Sequence, residues 1–325
     1  MSSDLLIVGA GKMARFHALA ARELGWRVEA VTRSPATAEA FAQETGAEAA
    51  SGGLDAWLSA RTPPSHVVVA VGVEGLAEAA SAVIRAGARR VLLEKPGGID
   101  TDEIEALANL AEQHGAEVLL AYNRRFYPAV EAARAIIAED GGATSLRFDF
   151  TELAHAIGAS DQKAEVKRAW FLANSTHVID LAFYLAGPPA ELCAQTAGGL
   201  DWHPDAAQFA GSGVTEQGAL FSYVADWTAP GRWSVDVRTR ERRIVLEPLE
   251  ELRIQKRGTF TLEVQALAHA NPTHKVGIYE QMHAFLTGET PSRFVTIREQ
   301  AHKARQVYAP MLRGSGGLRS VTAGG

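Results

Sequence analysis

The apolar positions of this chain change rhythm after Ala121. Before that point they fall in short continuous runs at residues 5–8, 67–71, 91–93 and 118–121, the pattern of strands buried on both faces of a parallel sheet. Stretches of helical spacing separate these runs. Phe16, Leu19, Ala20 and Leu24 recur on one face and close at Gly25, a strand follows at 28–31, and helices follow at 36–45, 75–87 and 101–114. Asp100 or Thr101 is placed to cap the last of these, and Ala56-Trp57-Leu58 belongs to a further element before the Pro63-Pro64 break. Strands alternating with helices at this pace predict an α/β, doubly wound parallel sheet over residues 1–121. From residue 122 a helix at 128–138 gives way to short alternating strands at 146–150, 191–197, 219–227, 232–238, 243–246 and 252–256. That is the signature of an antiparallel sheet with one open face, so residues 122–325 are expected to form a second domain. Tyr279, Met282, Phe285 and Leu286 share one helical stripe and are expected in the core. Trp227 and Trp233 fall in strands, where large aromatics more often pack a core or a subunit interface than stack on a sugar. The glycines at 314–317 and 323–325 suggest a loose C-terminal tail.

Composition changes this picture little. At roughly 100–200 residues per domain, 325 residues divide into two domains, as the rhythm does. A 47% hydrophobic, 22% charged chain with net charge −6 leaves no footprint for nucleic acid or an anionic membrane. No apolar run reaches the roughly 18 residues of a membrane span, and no basic leader precedes the first strand, so a cytoplasmic protein is expected. The single cysteine, Cys193, excludes an intrachain disulfide and lies among apolar residues that favour an inert buried thiol. The ten histidines are scattered without metal-ligand spacing, and no Gly-x-Ser-x-Gly elbow is present, so neither a metal site nor a serine hydrolase is expected.

The chemistry begins where the first strand opens into Gly9-Ala10-Gly11-Lys12-Met13-Ala14. A strand, a Gly-x-Gly-x-x-Ala turn and a helix start are the parts of a dinucleotide-binding unit. Gly9 permits the sharp turn, Gly11 lets backbone approach a pyrophosphate, Ala14 allows close helix packing, and the N–H groups near Lys12 and Met13 face the phosphates. About twenty residues past that turn, where the adenosine ribose should lie, stand Thr32-Arg33-Ser34 in place of an acidic residue. A guanidinium beside hydroxyls suits a 2′-phosphate, so NADP(H) is expected, with NAD as the alternative. Val71 ends its strand on the same edge of the sheet. Glu94-Lys95-Pro96 also leaves the carboxyl edge, which places Lys95 at the nicotinamide end, and Pro96 holds the lysine backbone extended. Further on, Ser175 or Thr176 can cap a helix that carries His177 in its first turn, with Asp180 on the same face to orient the ring or cap N–H groups.

The glycine turn, Glu94-Lys95-Pro96, Tyr122-Asn123-Arg124-Arg125-Phe126 and His177-Val178-Ile179-Asp180 together resemble the Gfo/Idh/MocA family of oxidoreductases over nearly the whole chain. The resemblance implies a Rossmann domain followed by an α/β domain on a large, mostly antiparallel open-faced sheet, with the active site between them. It also implies hydride transfer at a hydroxyl or ketone of a sugar, sugar acid, cyclitol or nucleotide-linked sugar. Family members carry an aspartate four residues before the histidine, where this chain has Ala173. Lys95 and His177 then serve alone or with Tyr122 as acid/base groups, while Asn123, Arg124, Trp170, Asn174 and Asp180 are candidate substrate contacts. Arg125, Lys163, Lys167 and Arg168 add positive charge near them. Two other functions stay open: elimination or hydrolysis with transient oxidation on a bound cofactor, and a cofactor-binding or sensing protein without chemistry. A homodimer or homotetramer through the open sheet face is expected.

Overall fold

The computed structural model describes residues 4–267 and 273–321. The chain begins with β1 (Asp4–Val8), α1 (Lys12–Glu23), β2 (Arg27–Val31), α2 (Pro35–Thr45), β3 (Glu48–Ala50) and α3 (Leu54–Ala60). Then come β4 (His66–Val69), α4 (Leu76–Arg85), β5 (Arg90–Leu93), α5 (Thr101–His114) and β6 (Glu117–Leu120). It continues through α6 (Pro128–Glu139), β7 (Ser145–Asp149), the single-turn α7 (Ala154–Gly158) and α8 (Ala164–Arg168), and α9 (Thr176–Ala186). A run of strands follows: β8 (Pro189–Ala197), β9 (Gln208–Thr215), β10 (Leu220–Asp226), β11 (Ser234–Arg238), β12 (Arg242–Leu246), β13 (Leu252–Lys256) and β14 (Glu263–Val264). The last elements are α10 (Ile278–Thr287), β15 (Val295–Thr296), α11 (Ile297–Lys303), α12 (Ala309–Arg313) and β16 (Arg319–Ser320).

Two compact units result. The first takes the chain up to Phe126 and takes it back for a returning segment that ends at Ala301, whereas a single break at 121/122 contains no such return. Its seven-stranded sheet has the order β15-β6-β5-β4-β1-β2-β3, parallel throughout except for β15, which adds antiparallel to β6. The order reverses between β1 and β4, and the carboxyl ends of these two strands therefore open the crevice where a doubly wound sheet takes its ligand. Leu5, Ile7, Val68, Leu92 and Leu119 are at most 1% exposed, as continuous apolar strands under helices on both faces require. Ser34 caps α2, its hydroxyl accepting from Thr37 N at 3.2 Å, and Pro35 supplies the pre-set first helical residue. Asp100 caps α5 by accepting from the N–H groups of Asp102 and Glu103. In α10, Met282, Phe285 and Leu286 of the expected stripe are core residues, and Tyr279 is half-buried. The short β3 and β15 were not foreseen, and Ala56-Trp57-Leu58 lies in α3.

The second unit is built on a nine-stranded sheet of order β14-β13-β12-β11-β7-β10-β9-β8-β16, antiparallel except between β7 and β10. Strict alternation along β10 buries Phe221, Tyr223 and Ala225 and exposes Leu220, Ser222 and Val224. On the buried face Phe148 stacks on Tyr223 at 5.4 Å and meets Phe183 of α9 edge-on at 5.6 Å. The opposite face carries Leu220 at 66% and Val224 at 52% exposure, and beside them Arg147, Arg238 and Arg243 converge on the buried carboxylate of Asp236. Trp227 joins the core against Trp202, the rings stacked at 5.8 Å. Cys193 on β8 is half-buried, more open than its apolar neighbours in sequence indicated. The expected loose tail is held as far as residue 321. Ser315 exchanges bonds with the Ala194 backbone, Val321 N donates to Ala190 O at 2.7 Å, and β16 pairs with β8. Residues 323–325 lie outside the described residues. Among the described residues no helix is long and apolar enough to cross a membrane.

Candidate active site

In the first unit the glycine turn has the geometry its residues were expected to allow. Gly9 has φ +111°, and a Cβ built on it would stand 2.3 Å from the carbonyl oxygen of Ala70, so only glycine fits where the ends of β1 and β4 approach. Val71 lies against the same point. Gly11 is the N-terminal boundary residue of α1 with no side-chain cap, and a Cβ there would meet nothing within 4 Å. The first N–H groups of a twelve-residue helix thus open onto unfilled space, which fits a pyrophosphate held by backbone. Ala14 is fully buried beneath them. The side chains of Lys12 and Met13 turn elsewhere: Lys12 Nζ lies 5.9 Å from the Phe16 ring centroid, and Lys275 Nζ is 3.4 Å from the sulfur of Met13. At the end of β2, Thr32 is half-buried and Arg33 exposed, while the hydroxyl of Ser34 is spent on capping α2.

The end of β5 differs from expectation in detail. Glu94 is 8% exposed and its Oε1 lies 2.9 Å from His17 Nε2 on α1, so this carboxylate is turned into the protein. Lys95 is half-buried. The carbonyl of Pro96 accepts from Gln300 Nε2 at 3.0 Å, and Tyr122 donates its hydroxyl to Gln300 Oε1 at 3.2 Å. Tyr122 is 1% exposed. The amide of Asn123 donates to Val276 O at 3.1 Å, and Arg125 and Arg293 each donate to the other's carbonyl. Both therefore secure the returning segment. Arg124 is half-buried in the same turn.

In the second unit neither Ser175 nor Thr176 caps a helix start. Residues Phe171–Ser175 form a π-helical turn that runs straight into α9, with Ser175 already at φ −65° and ψ −24°. Ser175 Oγ donates to Glu152 Oε1 at 2.8 Å, Asn174 Nδ2 lies 3.1 Å from both oxygens of that carboxylate, and Thr176 Oγ1 donates to Leu172 O. His177 is 6% exposed and its ring lies 6.2 Å from Trp233. Asp180, 1% exposed at its side chain, pairs with Lys303 Nζ at 3.0 Å. The ring of Trp170 stands edge-on to Trp202 at 6.5 Å, and among the described residues its buried indole N–H finds no acceptor. Ala173 is 3% exposed. Of the basic residues, Lys167 donates to Gly158 O and Lys163 faces Glu165 at 3.8 Å.

Sequence reasoning missed His17, Glu152, Gln300 and Lys303. His17 left a readable signal, a polar residue on the buried face of α1 among Ala14, Ala18 and Ala21. Glu152, Gln300 and Lys303 left none, because their partners are distant in sequence.

The first unit is a doubly wound parallel sheet with a glycine turn at its switch point. A model of the oxidoreductase family with an NAD-binding Rossmann fold, GFO_IDH_MocA, matches residues 4–122. It is 34% identical over 130 residues to a myo-inositol dehydrogenase of Streptomyces leeuwenhoekii, covering 40% of this chain and 39% of that one. It is 29% identical over 200 residues to an inositol 2-dehydrogenase of Rhizobium meliloti, covering 59% of this chain and 57% of that one. These alignments thus span between two fifths and three fifths of the relatives. A levoglucosan dehydrogenase solved with NADH and levoglucosan superposes with a TM-score of 0.78 at 19% identity, covering 99% of this chain and 100% of that one, a likeness of fold.

The two glycines should separate on substitution. Gly9→Ala adds a Cβ 2.3 Å from a carbonyl at a positive φ and is expected to cost at least about 2 kcal/mol in urea unfolding. Gly11→Ala enters open space at an ordinary φ of −74° and should change stability by less than about 1 kcal/mol while weakening NADH at least about tenfold. Equal stability losses in both variants would contradict this assignment.

Proposed function

We propose that this protein is a nicotinamide-dependent dehydrogenase of a polyhydroxylated ring, a cyclitol or sugar, and that it prefers NADP(H). The observation that carries this reading is the uncapped glycine turn at the sheet's switch point, with Lys95 leaving the same carboxyl edge two strands away. The inositol dehydrogenases among the relatives support the substrate class. When bound, a nicotinamide cofactor would supply the hydride acceptor. Of the chain's own groups, Lys95 would take the proton from the hydroxyl as the carbonyl forms, and His177 is the candidate acid/base group of the second unit. Ala173 itself brings no titratable group. The indole N–H of Trp170 is a donor for a ring hydroxyl.

Incubation with NAD⁺ or NADP⁺ and myo-inositol, glucose or levoglucosan, followed by reduced-nicotinamide absorbance, tests the reaction. Turnover is expected on at least one of them, and Lys95→Met should lower kcat by about 10²–10⁴-fold while cofactor affinity stays within about twofold. Cofactor binding with no reduction on any ring alcohol would favour a sensing protein instead.

The cofactor preference rests on Arg33, exposed just beyond β2. One charge-assisted contact to a 2′-phosphate contributes about 1.5–3 kcal/mol, or roughly ten- to a hundredfold in affinity. NADPH should bind more tightly than NADH by that factor, and Arg33→Asp should invert the order by repelling the phosphate and restoring an acceptor for a ribose hydroxyl. Equal wild-type affinities in calorimetric titration would remove the assignment.

The open face of the nine-stranded sheet, with Leu220 and Val224 exposed, is read as the interface of a homodimer or homotetramer. Sedimentation equilibrium should find an assembly that Leu220→Lys combined with Val224→Lys dissociates. A monomeric wild type contradicts it.

A further inference from the structure

Lys95 is flanked by two buried tethers that the dehydrogenase reading leaves without a role. The last ladder bond of β5 runs from Glu94 N to Val69 O at 2.9 Å, and side chains take over from there. On the N-terminal side, the Glu94 carboxylate meets His17 Nε2 at 2.9 Å, with His17 wholly buried and Glu94 8% exposed. On the C-terminal side, the Pro96 carbonyl accepts from Gln300 Nε2 at 3.0 Å, and Gln300, wholly buried, is itself fixed by the hydroxyl of Tyr122. The two anchors come from different places: His17 from the helix whose first turn is the phosphate site, and Gln300 from the segment that returns to this unit after residue 272. A buried carboxylate and a buried amide are costly to leave unmet, so each bond locks once formed.

We infer that His17 and Gln300 are positioning residues for Lys95, setting the origin and direction of its side chain from either side. The need is physical. A lysine has four rotatable side-chain bonds, and a proton acceptor must be placed to within roughly half an ångström to act. Pro96 confines the lysine backbone to extended conformations, and the neighbouring tethers fix where that extended segment lies. The His17 bond also ties Lys95 to α1, so the phosphate-binding turn and the amine keep one spacing.

The inference rests on the role proposed for Lys95, yet its test needs no turnover. Competitive acetylation with acetic anhydride over a range of pH, read by peptide mass spectrometry, reports the reactivity profile of Lys95 against exposed Lys256 and Lys12 in the same sample. His17→Phe and Gln300→Leu should each change the relative labelling rate of Lys95 by at least about threefold, the effect of losing one hydrogen bond. His17→Gln, which keeps a donor for Glu94, should return it to within about twofold of wild type. If one variant fails to fold, the other decides. Unchanged Lys95 labelling in the folded variants, or an equal change at Lys12, overturns the inference. Failure of the wild type to reduce cofactor would count against the functional reading alone, since the labelling is measured without substrate.

Discussion

The closest constraint in the first unit is the approach of the Gly9 backbone to the carbonyl of Ala70. Gly9 N donates to Val31 O, and Ala70 N donates to Val8 O, so the turn is stitched to β2 on one side and β4 on the other. Any Cβ at Gly9 would push these strand ends apart. Because they stay together, α1 starts directly above the switch point of the sheet, and its unpaired N–H groups face outward over Gly11. The buried bond from His17 carries the placement of that helix on to Glu94, and so to Lys95. Position thus passes from one glycine to the candidate phosphate site and then to the candidate acid/base lysine through a short set of contacts.

The second unit solves a different problem. A nine-stranded sheet covered on one face needs large side chains beneath it, and phenylalanine, tyrosine and tryptophan provide them. Against that layer the chain makes a π-helical turn before α9, where the buried carboxylate of Glu152 gathers Asn174 and Ser175. His177 follows immediately, so its placement depends on a turn secured by a side chain from beyond β7. Asp180 serves the same helix through its ion pair with Lys303.

Features set by local rules were legible in the sequence. Continuous apolar strands, alternation in the second sheet, the glycine turn and the Asp100 cap depend on neighbours a few residues apart, and the structure has them. What was not legible depends on distant partners. β3 is three residues of Glu-Ala-Ala with no apolar signal, and it exists because β2 offers an edge. The expected helix cap at Ser175 fails because Glu152, 23 positions away, claims its hydroxyl. The bond of Tyr122 to Gln300, 178 positions on, left no signal in the sequence. The glycine-rich segment after α12 looked loose because the edge of β8 that receives it lies over a hundred residues earlier.

A crystal structure of the chain with NADH bound tests the central claim most directly. The account predicts pyrophosphate oxygens within hydrogen-bond distance of the N–H groups at Gly11, Lys12 and Met13, the adenosine ribose beside Arg33, and the nicotinamide beside Lys95. A dinucleotide bound away from the Gly9–Ala14 turn, or lying across that turn with its nicotinamide remote from Lys95, would contradict it.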